Sequence, residues 1–163
     1  MAVERHPYAE TRFKTDTAAL AIFDPTCLRH RSTDACDWSS SEADEVAEAN
    51  AGNVLFIGLG ADAVYSCKAF RDREPHHVPA QCRRALLKSE IGCFYVGAAE
   101  QVPAEGVGWS TVHGGVLVTA PAGTWEVQIY AEAPSSIVVR IRKVSGEARN
   151  AFSHGVVLDE TAG

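Results

Sequence analysis

The sequence predicts a mainly β fold: an antiparallel β-sandwich or barrel-like sheet with one or two short N-terminal helices. Three observations carry that expectation. Trp125, Val127, Ile129 and Ala131 alternate with Glu126, Gln128 and Tyr130, and a second alternating run follows at Ile137, Val139 and Ile141. A period of two is the mark of a strand with one buried face. Short apolar runs such as Val54-Leu-Phe-Ile57 lie between glycines or turn residues, as central strands do. Helix signals are confined to the first third, which argues against an alternating α/β chain.

In chain order, residues 1–14 are polar and read as a loose leader, followed by a single β-rich domain over 15–160. Ala19 to Phe23 forms a short buried strand. Asp24-Pro25 then starts a helix to about Arg31. Asp caps free N–H groups, and Pro fits the first helical position because its missing N–H is not needed there. Ser39 and Glu42 have capping-box spacing, which predicts a second helix from about Ser41 to Asn50. Ala51-Gly52 ends it. The helical insertion thus covers about 25–50.

Val54–Ile57 is the next strand. Ala63 to Phe70 alternates, with Tyr65, Cys67 and Ala69 on one face. Residues 71–80 hold two prolines and two histidines and form a loop. Residues 82–88 suit a helix or an edge strand. Cys93 to Val96 and Val116 to Val118 are strands around a glycine-rich loop at 97–115. Pairing Ala131 with Ile137 in a hairpin places Gln128 opposite Arg140 and Glu126 opposite Arg142 on the polar face. Opposite charges across a strand pair contribute only about 0.2–1 kcal/mol each. The agreement between apolar and charge patterns is what fixes the register. Val156 to Leu158 closes the sheet, for a total of seven to nine strands.

Composition narrows the function. The 163 residues carry a net charge of −6, which argues against nucleic-acid binding through bulk positive charge. Apolar residues make up 46% and charged residues 22%, a mixture that can build a core and argues against disorder. No apolar stretch is long enough for a membrane helix, and residues 1–7 lack the apolar run of a signal peptide. Five cysteines without a C-x-x-C pair read as reduced thiols, with Cys67 and Cys93 as small core residues. The expected location is the cytoplasm.

Chemical motifs are sparse. Gly58-Leu-Gly60-Ala-Asp-Ala63 fits the looser dinucleotide-loop pattern, but that chemistry needs a helix next, to face the pyrophosphate. Val64-Tyr-Ser-Cys67 alternates like a strand, so the glycines read as a tight turn. His113-Gly-Gly115 resembles an esterase oxyanion loop, but the chain has no G-x-S-x-G elbow to supply the nucleophile. His76-His77 and Cys82 lack a second ligand cluster for zinc. No metal, no cofactor and no catalytic set is therefore expected.

The acidic segment stands out. Residues 32–50 contain Asp34, Asp37, Glu42, Asp44, Glu45 and Glu48 and no Lys or Arg, while the rest of the chain carries 15 acids and 15 bases. A field of one sign speeds association with a basic partner by about 10- to 1000-fold. An exposed Trp38 in the segment would serve as an anchor. The alternative is a solvated helix face with Trp38 packed on the core. A second candidate site is a ligand pocket at the 97–115 loop, using Trp109 and His113 with His77.

The order of motifs carries a resemblance. Thr15-Asp-Thr17 leads into Ala21-Ile-Phe-Asp-Pro25. Trp38 precedes an acidic helix, then Asn50-Ala-Gly-Asn-Val-Leu-Phe-Ile-Gly-Leu-Gly60. Phe94-Tyr-Val-Gly97 and Pro121-Ala-Gly-Thr-Trp125 follow. Over residues 15–158 this resembles a family of small bacterial proteins of unknown function that look like cytoplasmic immunity proteins associated with secreted toxins. The resemblance implies a β-rich domain and toxin neutralisation, and transfers no catalytic residue. The resulting expectation is a protein-binding module that occludes a partner with a basic surface, with neither nucleic acid nor membrane as partner. The alternative is a small-ligand-binding sandwich or small enzyme.

Overall fold

The computed structural model describes residues 8–72, 79–112 and 114–158. Among them, ten strands form two separate five-stranded sheets. The first sheet has the order β1-β4-β9-β8-β5, from Ala9–Thr15, Ala63–Arg71, Ser136–Val144, Gly123–Ala133 and Arg83–Ser89. The second has the order β10-β3-β2-β6-β7, from Val156–Val157, Val54–Gly58, Ala19–Phe23, Cys93–Ala98 and Val116–Thr119. Two sheets replace the barrel-like alternative. Both are mixed rather than antiparallel, because β4 runs parallel to β9 and β10 parallel to β3. Hairpins advertise antiparallel pairs through local alternation. A parallel pair joins distant segments and leaves no such local trace.

The core lies between the sheets. Phe13, Tyr65, Val127 and Ile137 of the first sheet share one buried cluster with Leu20, Ile57, Phe94 and Val118 of the second. The second sheet buries its other face as well, and on it Phe23, Phe56 and Tyr95 meet Leu28 and Trp38 of the helical insertion. A strand buried on both faces needs a continuous apolar run rather than alternation. Ala19–Phe23 and Val54–Ile57 supply it.

The β8–β9 hairpin has the expected register: Glu126 opposes Arg142, Gln128 opposes Arg140 and Ala131 opposes Ile137. Arg142 Nη2 donates to Glu126 Oε1 at 3.1 Å. The strands run further into the turn than the residue 132–136 loop allowed, since Ala133 still pairs with Ser136 after a bulge. Residues 83–89 resolve to a strand, paired with β8.

The leader expected over 1–14 is corrected from residue 9 onward. Strand β1 pairs antiparallel with β4, and the Phe13 ring stacks on Tyr65 at 5.9 Å. Ala9, Thr11, Phe13 and Thr15 do alternate with Glu10, Arg12 and Lys14. Only Phe13 is large and apolar, so the period is faint until β4 offers a partner.

The helix starts follow the capping argument. Asp24 is buried and accepts from Thr26 N at 2.8 Å at the head of the 3-10 helix Pro25–Arg31. The same carboxylate accepts from Glu90 N and Ile91 N, which ties this helix to the β5–β6 turn. Helix α1 spans Glu42–Asn50. Its cap is Ser41, which accepts from Asp44 N, rather than Ser39. Gly52 ends it with φ +74°, and a side chain there would collide with Ala148. One 3-10 turn, Ala99–Gln101, lies outside the first third.

Candidate functional site

The six acids of the 32–50 segment divide into two groups with different fates. Asp34, Asp44 and Glu48 turn inward onto one guanidinium. Arg31 Nη1 donates to Asp34 at 3.1 Å, Nη2 to Asp44 at 3.1 Å and Nε to Glu48 at 2.9 Å. His30 Nε2 lies 2.6 Å from the same Glu48 carboxylate, and Asn53 Nδ2 donates to its other oxygen at 2.7 Å. Burial alone would raise the Glu48 pKa. The hydrogen bonds from Asn53, His30 and Arg31 outweigh it and hold the carboxyl below the usual glutamate range.

Trp38 is corrected from exposed anchor to core residue. It is 6% exposed, its Nε1 donates to Pro103 O at 3.0 Å, and its ring meets Phe56 edge-on at 5.9 Å. The Arg31 guanidinium covers the ring at 4.7 Å. The indole fills the apolar outer face of the second sheet, a larger gain than exposure beside charges would give.

Asp37, Glu42 and Glu45 form the other group. They line a groove of about 630 Å³ between the helical insertion and the open end of the second sheet. Phe56, Gly58, Val156, Val157, Ala19 and Glu100 also line it. Glu42 Oε2 accepts from Gly155 N at 3.3 Å. Burial, then repulsion by Glu42, raises the Glu45 pKa. Glu100 is a member the sequence did not announce. Its Oε1 accepts from Thr15 Oγ1 at 2.6 Å and from Asp16 N, Thr17 N and Thr17 Oγ1 at 2.7 Å each. Burial would raise its pKa, but the hydrogen bonds from Thr15, Thr17 and the Asp16 amide lower it on balance. Glu100 thus keeps its charge more firmly than Glu45 does.

The 104–107 turn braces this segment from the far side. Glu105 N donates to Asp34 O at 2.8 Å, Gly106 N to Ser32 O at 2.7 Å, and Cys36 N to Glu105 Oε1 at 3.1 Å. No local signal marks that contact, because some seventy residues separate its two sides. Arg31, one residue before the acidic run, could have been noticed from sequence.

Of the second candidate site, Trp109 lies among the described residues. His77 and His113 lie outside the described residues. Trp109 is half-buried against Tyr95, ring centroids 6.1 Å apart. All five cysteines are free thiols. Burial pushes Cys67 up to about 12, so it is a core residue rather than a thiolate. Cys93 is only half-buried. The glycine turn at 58–60 leads into β4 rather than a helix, so no helix N-terminus faces it. Among the described residues, no three His, Cys, Asp or Glu side chains converge as a metal site, and no helix is long and apolar enough to cross a membrane.

Fold and site together define a two-sheet β protein with a helical cap and an acidic groove on one sheet. Residues 8–158 match the model of DUF6386, a family of unknown function, and the chain belongs to that family. No curated protein matches the sequence. Among solved structures the chain is similar to ComJ from Bacillus subtilis, an inhibitor of the DNA degrading activity of NucA. The TM-score is 0.55 at 7% identity, over 85% of this chain and 97% of ComJ. It is also similar to the protein described as Crocagin biosynthetic gene J, with a TM-score of 0.53 at 12% identity, over 84% of this chain and 99% of the other. At such identities the likeness is one of fold.

Proposed function

We propose that this protein is an inhibitor of the immunity type, which binds a partner protein with a basic surface and occludes it. The observation that carries this reading is the groove, where Asp37, Glu42, Glu45 and Glu100 line one concave surface. The fold it shares with ComJ, itself an inhibitor of a DNA-degrading activity, supports the same reading. A toxin acting in the cytoplasm is the partner class that fits.

Occlusion here follows from electrostatics and shape. The Arg31 clamp pairs with Asp34, Asp44 and Glu48, offsets part of their charge and ties the segment together. Among the described residues the groove acids have no such clamp, and they face a concave wall, where a low-dielectric surface focuses the field. Basic side chains of the partner would be steered there, so charge sets the association rate more than the final affinity.

The test begins with capture by the tagged protein from the native host at low and high salt, with identification by mass spectrometry. The captured protein is then purified, and its association rate is measured with wild type and with D37K/E42K/E45K. The expected result is a basic partner whose association rate falls by at least about tenfold in the variant at low salt, with the difference shrinking at high salt. An unchanged rate at low salt, or a partner without a basic surface, overturns the reading.

A further inference from the structure

Among the described residues, the first sheet leaves one end of the core unfilled. Along the inward face of β8 the side chains run from Trp125 through Val127 and Ile129 to Ala131, with the largest at one end and the smallest at the other. Trp125 plugs one end, 1% exposed, with its Nε1 donating to Pro121 O at 2.9 Å. At the other end Ala131 faces a cavity of about 220 Å³, walled by Leu59, Tyr65, Pro134, Ile137 and Leu158. Three more alanines, Ala61, Ala63 and Ala133, stand around it where larger side chains would close the space.

Three polar groups along this wall have partners within the protein, while Ser135 stands exposed at the rim. Tyr65 Oη donates to Ala61 O at 2.8 Å, Leu158 N to Gly58 O at 2.9 Å, and Ser136 Oγ to Glu132 Oε1 at 3.3 Å. A dry apolar cavity of about 150 Å³ is already enough to bind benzene or xenon in a protein core.

The geometry points to a binding site for a compact, neutral, apolar group about the size of one aromatic ring. Such a group reaches the cavity either as a free small molecule or as a side chain presented by a protein. The site is separate from the acidic groove, and its failure would leave the charge-reversal result untouched.

Two probes distinguish the sources: toluene, and N-acetyl-phenylalaninamide, which carries the same ring on a peptide backbone. Each is titrated into the full chain labelled with 15N. Saturable amide shifts at Tyr65, Ala131, Ile137 and Leu158 are expected. They should be lost in Ala131→Leu, which fills the cavity from the strand, and in Ala133→Leu, which fills it from the exposed rim. Unmoved β6 and β7 amides in each variant show that the fold is intact. Shifts with toluene alone assign the site to a free molecule, and shifts with the peptide-borne ring assign it to a side chain. No saturable shift with either probe, or shifts that persist in both filled variants, overturns the inference.

Discussion

At the residue scale, single groups serve distant parts of the chain. Glu48 is 5% exposed and its charge is held by Arg31, His30 and Asn53. Its pKa is lowered on folding, so its stabilisation is full above the unfolded value and fades as pH falls through the lower folded one. Urea denaturation of wild type against Glu48→Gln should therefore show a stability gap at neutral pH that closes on the acid side, below the ordinary glutamate range. A gap independent of pH would mean that shape, not charge, is the contribution. Replacing Arg31 by Met should cost roughly 3 kcal/mol, the lower end for breaking a buried pair, because Glu48 would keep its buried charge without the guanidinium. Tyr95 explains two glycines: a side chain at Gly97 or Gly115 would collide with its phenol. Gly97→Ala should cost about 1–3 kcal/mol in thermal melts, part of it recovered by Tyr95→Phe, which removes the atom nearest the new methyl.

At the scale of elements, the legible parts were those with local physics. The Asp24-Pro25 start, the Gly52 stop and the β8–β9 register follow from caps and alternation within about fifteen residues. The same Asp24 also does something no local pattern shows, since it holds the β5–β6 turn through Glu90 N and Ile91 N. Asp24→Ala strips acceptors from donors in two elements at once. It should cost on the order of 3 kcal/mol by chemical denaturation, more than the roughly 1 kcal/mol of an ordinary helix cap. A loss no larger than the ordinary cap would show that water replaces the carboxylate. Strand β1 was missed because one large apolar residue, Phe13, carries its inward face. Residues 82–88 suit a helix or a strand because Arg-Arg-Ala-Leu-Leu-Lys satisfies either period until β8 pairs with it.

At the scale of the whole molecule, charge is distributed by the fold rather than by the sequence run. Three of six clustered acids are paired with Arg31, and Glu100 joins the remaining three from a segment far along the chain. The groove should lose charge stepwise on acidification. Glu45, with its raised pKa, gains its proton before Glu100, whose pKa is lowered. Association with a basic partner should slow as pH falls, beginning above the ordinary glutamate range, and Glu45→Gln should remove that first step. A pH profile identical in wild type and Glu45→Gln would place the steering charge elsewhere.

The sequence by itself determined the β class, most strand positions, both early helices and the one-sided charge, because periodicity, capping and composition act within a few residues. Tertiary structure alone decided that two strand pairs run parallel, that Trp38 goes inside, and which carboxylates face the groove. Those outcomes depend on contacts between segments tens of residues apart. An acid is equally acidic in either place until the fold sets a guanidinium beside it or leaves it at a concave surface.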